Sequence, residues 1–153
     1  MAERMSDTLD TRYLETLQGY NTRRAALSII NTFMQRMAAY ALSPVDFSIL
    51  SLIHHNPGVT SRQLCDALGL LPPNMVVFLK QFEKRHWLTK SPHPTDGRAM
   101  ALALTAEGTQ LMKKAEKAAS ASDLSATSQL TPKEQETLAR LLKKIYLKPT
   151  PAP

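Results

Sequence analysis

The segment that decides the fold is TSRQLCDALGLLPPNMVVFLKQFEK, residues 60–84. Thr60 and Gln63 form the Thr-x-x-Gln pattern of a helix N-terminal capping box, and Gly69 is a typical helix C-terminal residue. The Pro-Pro pair that follows suits the first turn of a second helix. We therefore predict two short helices joined by a glycine-containing turn, a helix-turn-helix whose second helix can enter the major groove of DNA.

A further helix is predicted before this segment and a hairpin after it. Ser43 can cap the preceding helix, with proline at its first position. Residues 87–90 are predicted to form a short strand, residues 91–98 a polar loop rich in turn residues, and residues 99–104 the return strand. The order of helix, helix, turn, helix and hairpin predicts a mainly α fold, a winged helix-turn-helix with a small β-hairpin wing.

Long helices flank this central part. Apolar residues recur at spacings of three and four from Thr11 to Ala41, and Gly19 marks either a bend or a helix start. A helix of this length is hard to bury within one small subunit, so we infer that part of it packs against a second chain. The first helix after the hairpin is predicted to end near Ala119, because residues 118–128 are small and polar. A Thr-Pro-Lys-Glu capping box at Thr131 opens the last helix.

This pattern gives the predicted domain organisation. The fold would have N- and C-terminal dimerisation helices around a DNA-binding domain, with flexible tails at both ends. The predicted ranges are 11–41 and 105–147 for the dimerisation helices, 42–104 for the winged helix-turn-helix, and 1–10 and 148–153 for the tails.

Composition limits the classes of protein to consider. Of the 153 residues 43% are hydrophobic and 21% charged, which is ordinary for a globular domain with a core. No stretch approaches the roughly 18 uninterrupted apolar residues of a membrane helix. Residues 1–10 are polar and carry three acidic side chains, unlike a signal peptide. We therefore expect a cytoplasmic protein with no membrane partner.

The charge balance favours an anionic partner. The formal net charge is +6 and the sequence pI is about 9.6, which makes nucleic acid the first partner to consider. Residues 71–104 carry five Lys or Arg against two Asp or Glu, so the excess of positive charge is concentrated partly in the predicted second helix and hairpin.

Several side chains leave a structural and a functional interpretation open. The single cysteine, Cys65, excludes an internal disulfide and a cysteine-based zinc site, and is either a buried hydrophobe or a redox sensor. His54 and His55 are either pocket groups, pH-sensitive groups or simply the end of a helix. His86 and His93 complete no metal-ligand spacing, so we expect no metal and no cofactor. Three methionines are either core or pocket residues: Met34, Met37 and Met75.

The predicted second helix of the motif offers specific groups to DNA. Asn74 can hydrogen-bond base edges, Val77 can contact a thymine methyl group, and Lys80 can reach phosphate or guanine. Lys84 and Arg85 are either DNA contacts or a solvated helix end. The other candidate contacts are residues that position the protein on the DNA backbone or begin the second helix: Ser61, Arg62, Gln63, Pro72 and Pro73.

The stretch from Leu42 to Gly108 resembles the multiple-antibiotic-resistance regulator (MarR) family of winged helix-turn-helix repressors. The resemblance rests on four motifs, of which Asp-x-Arg in the wing followed by Leu-Thr-x-x-Gly is the most specific. The motifs are Leu64–Leu70, Leu79–Arg85, Asp96–Arg98 and Leu104–Gly108.

The resemblance implies a set of roles. Arg98 would enter the minor groove at the wing tip, and Asp96 would hold it by a salt bridge. The first helix, the helix that follows the hairpin and the last helix would form a homodimer on a near-palindromic double-stranded operator. A small-molecule pocket would lie between the dimerisation and DNA-binding parts. Effectors in the family include aromatic acids, phenolic compounds and acyl thioesters. Family members often have Ser or Thr early in the recognition helix, where this chain has Pro72, Pro73 and Asn74.

We therefore predict a homodimeric, ligand-responsive transcription regulator, most simply a repressor. The alternatives are a non-specific architectural DNA-binding protein and a winged-helix protein that binds only protein. The sequence has no glycine-rich phosphate loop, no nucleophile elbow and no paired carboxylates in a plausible site, so we predict no catalytic residues.

Overall fold

The computed structural model describes residues 9–147 of the chain. It is mainly helical, with one antiparallel hairpin. Most of both predicted tails, residues 1–8 and 148–153, lies outside the described residues. The elements are α1 (Arg12–Glu15), α2 (Gln18–Met37), a 3-10 turn (Ala38–Tyr40), α3 (Pro44–His55), α4 (Ser61–Leu68), α5 (Pro72–Lys84), β1 (Leu88–Pro92), β2 (Met100–Leu104), α6 (Ala106–Ala126) and α7 (Pro132–Tyr146).

The helix predicted over residues 11–41 is divided into α1 and α2, and the new helix begins beside Gly19, which the sequence marked as a bend or a helix start. Leu17 has extended backbone angles and separates α1 from α2. The Asn21 side chain donates hydrogen bonds to the carbonyl oxygens of Glu15, at 2.7 Å, and Leu17, at 3.1 Å. The first of these satisfies a carbonyl that a continuous helix would have paired with the Gly19 N–H. At the other end, Ala41 adopts the left-handed conformation (φ 52°) and turns the chain into α3.

The predicted helix caps are confirmed. Thr60 and Gln63 form a reciprocal capping box at α4, and Thr131 and Glu134 form another at α7. Ser43 caps α3 in the same way. Gly69 ends α4 in the left-handed conformation (φ 64°), which a residue without Cβ adopts at little cost.

Helix α6 extends well beyond its predicted end. Residues 118–128 were expected to form a frayed end and a loop, but α6 remains helical to Ala126. It packs along α2 and buries Met112, Ala115 and Ser122. The small side chains that suggested a loop instead let two long helices approach closely, a tertiary contact that overrides weak local preference.

The core fills the space between α3, α4, α5, the hairpin and α6. Ile49, Leu50 and Phe82 are among its fully buried members. Cys65 is only 7% exposed and belongs to this core, which supports its interpretation as a buried hydrophobe. Met37 and Met75 are also core residues, whereas Met34 is 51% exposed.

A short backbone link ties the wing to the helices. Val59, in the loop before α4, forms an isolated antiparallel bridge with Leu102 of β2. The Leu102 N–H donates to the Val59 carbonyl at 2.9 Å, and the Gly58 N–H donates to the Leu102 carbonyl at 2.8 Å. These bonds fix the base of the hairpin against the start of α4.

Within residues 9–147, no single helix combines the length and apolar character needed to cross a membrane. One bent pair, Gln18–Tyr40 with Pro44–His55 at 70°, reaches that length and composition only when its two parts are counted together.

Candidate nucleic-acid interface

The N-terminus of α4 is held by its own side chains. The Gln63 N–H donates to Thr60 Oγ1 at 3.3 Å, and the Thr60 N–H donates to Gln63 Oε1 at 2.9 Å. The predicted contact residue Gln63 therefore has its amide oxygen engaged in the cap, and only its NH₂ group remains available. Arg62 is exposed and Ser61 half-buried beside it. The first backbone N–H groups of a helix have no intrahelical acceptor and suit phosphate oxygens.

Helix α5 presents one apolar face to the core and another to solvent. Met75, Leu79 and Phe82 are buried. On the other side, Val77 is 55% exposed and Val76, which the sequence analysis did not single out, is 46% exposed. The remaining predicted contacts of this helix are all exposed: Pro72, Pro73, Asn74 and Lys80.

The start of α5 offers no backbone donors to a phosphate. Pro72 and Pro73 have no N–H group. The N–H groups of Asn74 and Met75 both donate to the Leu71 carbonyl, at 3.0 and 3.1 Å. Any contact from this helix must therefore come from its side chains.

The wing tip is shaped by hydrogen bonds to His93. Its Nδ1 accepts from the backbone N–H groups of Thr95, at 3.3 Å, and Asp96, at 3.2 Å. The backbone N–H of His93 donates to the Ala99 carbonyl at 3.1 Å. These bonds close the polar loop between β1 and β2 into a compact turn.

The ion pair that the family resemblance implied between Asp96 and Arg98 is not formed. Instead, Asp96 Oδ1 accepts a hydrogen bond from the backbone N–H of Arg98 at 3.0 Å. A short acidic side chain that accepts from the backbone two residues on forms an Asx turn. Asp96 therefore sets the backbone at the wing tip and leaves the guanidinium of Arg98 free to extend.

A groove brings four of the ten predicted DNA-contact residues together. The other six lie outside its lining: Gln63, Pro72, Pro73, Asn74, Val77 and Lys80. It has a volume of about 460 Å³ and lies between the start of α4, the outer face of α5 and the wing. Arg62 from α4 and Arg98 from the wing both contribute to its lining, as do Ser61 and Asp96. The tertiary fold thus places residues that are distant in sequence on one surface.

The charges on this surface are largely unneutralised. Among the ion pairs formed within residues 9–147, none involves Arg62, Lys80 or Arg98. Lys90 also lines the groove, but its Nζ lies 2.8 Å from Glu83 Oε2. Asp96 carries the opposite charge in the same lining, so the two arginines leave the groove with a net positive charge.

Arg85 has a structural role in the described chain. Its guanidinium lies 4.9 Å from the ring centroid of Trp87, and Nη1 donates to the Ala41 carbonyl at 3.2 Å. These contacts join the end of α5 to the turn before α3. Lys84 remains exposed at the end of α5.

The relationship to known proteins agrees with this geometry. A model of the MarR family matches residues 42–100. The solved structure of the transcriptional repressor CouR bound to a 23-mer DNA duplex is similar to this chain with a TM-score of 0.84. The two are 30% identical, and the match covers 90% of this chain and 97% of the CouR chain. This chain belongs to the MarR family.

Two further proteins are also similar to this MarR-family chain. A putative transcriptional regulatory protein for the hcr operon of Thauera aromatica is 26% identical over 136 residues, 88% of this chain and 82% of the relative. The Mycobacterium tuberculosis MarR-family protein Rv2887 in complex with salicylic acid gives a TM-score of 0.68 at 25% identity, covering 84% of this chain and 96% of that one. The predicted winged-helix fold is confirmed. The family comprises transcription regulators, in agreement with the expectation that the chain is not an enzyme.

A second cavity lies on the other side of the MarR fold, between α2, α3 and α6. Its volume is about 690 Å³. Phe33 and Phe47 meet edge to face in its wall, with ring centroids 5.2 Å apart. Glu116 Oε1 accepts from Ser51 Oγ at 2.8 Å and lies 2.9 Å from His55 Nε2. The full lining is Phe33, Phe47, Ser51, His55, Glu116, Ala119, Ser120, Asp123 and Leu124.

Sequence reasoning missed the polar centre of this cavity. His55 was considered as a pocket group, but its partner Glu116 was not singled out. The two residues belong to α3 and α6 and meet only through helix packing, so no local spacing could have linked them. The only sequence signal was an acidic residue between Lys114 and Lys117 in a basic part of α6.

Proposed function

We propose that this MarR-family protein is a homodimeric transcription repressor that binds a near-palindromic DNA operator and releases it when an aromatic effector binds. The observation that carries the proposal is the groove in which Arg62 and Arg98 line one surface beside α5. Two arginines on one surface that form no ion pair within residues 9–147 suit a duplex, whose phosphates and narrow minor groove attract arginine.

The proposed DNA contacts divide by role. Asn74, Val77 and Lys80 on the exposed face of α5 would read base edges in the major groove. Arg98 would enter the adjacent minor groove from the wing. The contacts that position the protein on the backbone would come from the start of α4 and the first turn of α5: Ser61, Arg62, Gln63, Pro72 and Pro73. Asp96 would act through the Arg98 backbone rather than on DNA.

Homodimerisation is supported by apolar surface that the single chain leaves uncovered. On α7, Leu141 is 47% exposed, Ile145 74% and Tyr146 66%. On the N-terminal segment, Leu17 and Ile30 are about 40% exposed, as part of the predicted apolar stripe. Apolar stripes on helices at both ends of the chain are large for a monomer's surface. We therefore assign residues 11–41 and 105–147 to dimerisation and residues 42–104 to DNA binding.

The effector site that we propose is the cavity between α2, α3 and α6. Its wall combines two phenylalanine rings with a small polar centre, a common composition for small-molecule sites. It joins the helices assigned to dimerisation to α3, which packs against α4. A ligand that prefers one arrangement of these helices would change operator affinity, typically by ~1–3 kcal/mol of coupling.

The charge of the cavity limits how an effector can bind. Glu116 and Asp123 line it, and no Lys or Arg does. An aromatic ring would therefore lie near Phe33 and Phe47, while a carboxylate or thioester group would point towards His55 or out to solvent. Aromatic acids and aromatic acyl thioesters are the first effectors to test, since the relative Rv2887 is known in complex with salicylic acid.

The deciding experiment is a competition binding measurement. A labelled duplex containing an inverted repeat from upstream of the protein's own gene is titrated with the purified protein at physiological salt, against unlabelled random duplex. We expect operator binding to exceed random binding by at least about a thousandfold, the lower end for specific regulators. Equal competition by random DNA would contradict a specific regulator and favour the architectural alternative.

A further inference from the structure

Three metal-ligating side chains converge beside the cavity between α2, α3 and α6. His54 and His55 end α3, and Glu116 projects from α6. One ligand atom from each residue lies within 4.8 Å of the others. We propose that His54, His55 and Glu116 bind a divalent transition-metal ion, with Zn²⁺ as the preferred ion. This proposal is independent of DNA binding.

The donor set determines the class of metal. Two imidazoles and one carboxylate are a combination that zinc uses where it keeps one coordination position open. Imidazole ligands favour zinc, copper and nickel, whereas magnesium and calcium prefer oxygen ligands. The sequence analysis expected no metal because it considered His86 and His93, which lie elsewhere, and did not include Glu116.

The geometry requires only side-chain rotation. Tetrahedral zinc with bonds of about 2.0–2.2 Å holds its ligand atoms roughly 3.3 Å apart. His55 Nε2 and Glu116 Oε1 are already 2.9 Å apart, and the rings of His54 and His55 have centroids 4.9 Å apart. The His55 side chain is 62% exposed, so it can turn towards the ion without displacing packed neighbours.

Ser51 supports the Glu116 carboxylate through a hydrogen bond. Its hydroxyl donates to Glu116 Oε1 at 2.8 Å, and the Glu116 side chain is only 26% exposed. A hydrogen bond of this kind orients a metal-binding carboxylate, and Oε1 keeps a second lone pair for the ion. Ser51 is therefore a positioning residue in the proposed site.

Metal binding would have two consequences in this fold. The ion would join the end of α3 to the middle of α6 across the cavity. It would also add positive charge beside Glu116 and Asp123, and its open coordination position would face the cavity that His55 and Glu116 line. An acidic cavity would then become one that accepts an anionic group.

The test is zinc binding by the full-length protein after treatment with a chelator. Isothermal titration and competition with a chromophoric zinc indicator should give one ion per chain. His54→Ala and Glu116→Gln should each lower the affinity at least about tenfold, and Ser51→Ala about tenfold. His86→Asn is the matched control, because His86 is exposed, lies outside the cluster and has a positive φ that asparagine tolerates; its affinity should equal that of the unmodified protein.

Two additional measurements keep the test decisive if a variant folds poorly. His55→Ala alters an exposed side chain, and circular dichroism of the metal-free variants checks their folding. Co²⁺ added to the unmodified protein should give the intense visible bands of four-coordinate cobalt. No binding at one ion per chain, absence of those bands, or equal loss of affinity in His86→Asn would overturn the proposal.

Discussion

Gly108 lies directly against the backbone of Trp87. A Cβ atom at Gly108 would overlap the Trp87 carbonyl oxygen and come within 3.1 Å of the Trp87 Cα and carbonyl carbon. The same carbonyl oxygen accepts from the Thr105 N–H at 3.0 Å, and Thr105 Oγ1 donates to the His86 carbonyl at 2.7 Å. The start of α6 is thereby locked to the segment between α5 and β1, which gives the Leu-Thr-x-x-Gly motif a packing reason.

Gly108→Ala should therefore destabilise the protein. The new methyl group meets backbone, which cannot move aside as a flexible side chain could, so we expect a loss of about 3 kcal/mol in the free energy of unfolding. Chemical denaturation followed by circular dichroism measures this loss. Gly97→Ala is the control, because its Cβ would have no neighbour within 4 Å. Similar stability of the two variants would contradict the close approach.

Arg98→Ala should weaken operator binding without affecting the fold. Arg98 is exposed, lines the groove and forms no ion pair within residues 9–147, so the substitution should remove only the proposed DNA contacts. We expect a decrease of about 1–3 kcal/mol in binding free energy and a shallower dependence on salt. Fluorescence anisotropy measures both, with Lys113→Ala on the exposed side of α6 as the control.

A companion variant separates the two roles considered for Asp96. In Asp96→Asn the amide oxygen can still accept from the Arg98 N–H, so operator affinity should stay close to that of the unmodified protein. If an ion pair between the two side chains were required on DNA, Asp96→Asn would instead lose nearly as much affinity as Arg98→Ala.

Ile145→Asp should dissociate the proposed homodimer. Ile145 is 74% exposed in the single chain, and in a dimer it would be covered, where an unpaired carboxylate costs several kcal/mol. Sedimentation velocity should show a shift from dimer to monomer at micromolar concentration, together with loss of operator binding. Lys143→Asp introduces the same group on the opposite side of α7 and should remain dimeric.

Ser120→Trp should block the effector without blocking DNA. Ser120 is an exposed residue in the lining of the cavity between α2, α3 and α6, so an indole there occupies the space proposed for an aromatic ligand. Operator affinity without effector should be unchanged, while the effector concentration needed for release should rise at least about tenfold. Ser125→Trp, outside the lining on the same helix, should release the operator at the same effector concentration as the unmodified protein. An equal rise in that concentration in both variants would argue against this cavity as the effector site.

The start of α7 should contribute stability that depends on pH. Hydrogen bonds from the Thr131 N–H and hydroxyl, 2.8 and 2.9 Å long, lower the pKa of Glu134. Its contribution is therefore present above the unfolded pKa, about 4.3 for glutamate, and is lost as the pH falls through the lower folded value. In Glu134→Gln this part of the acid sensitivity should disappear from thermal melts between neutral pH and pH 3. If Glu134→Gln lost stability towards low pH as much as the unmodified protein does, the contribution of Glu134 would be contradicted.

Some features of the site could be predicted from single residues. Asn74, Val77 and Lys80 were expected on the outer face of α5, and the structure places all three at the surface. The Asp-x-Arg motif located the wing tip but misled about its bonding, because the choice between a side-chain ion pair and an Asx turn depends on the backbone of the loop. Val76 and Glu116 were missed because their significance depends on which other helix or strand packs beside each of them.

The sequence alone determined the start and end of most helices, because a cap is a contact between residues three or four positions apart, as at Thr60 with Gln63 and at Gly69. It also determined the helical period that separates inner from outer faces. Only the tertiary structure decided that α6 continues past Ala119, that Arg62 and Arg98 share a groove, and that His55 meets Glu116. Each of these depends on packing between elements that are distant along the chain, where short-range preferences carry no information and burial against a neighbour outweighs them.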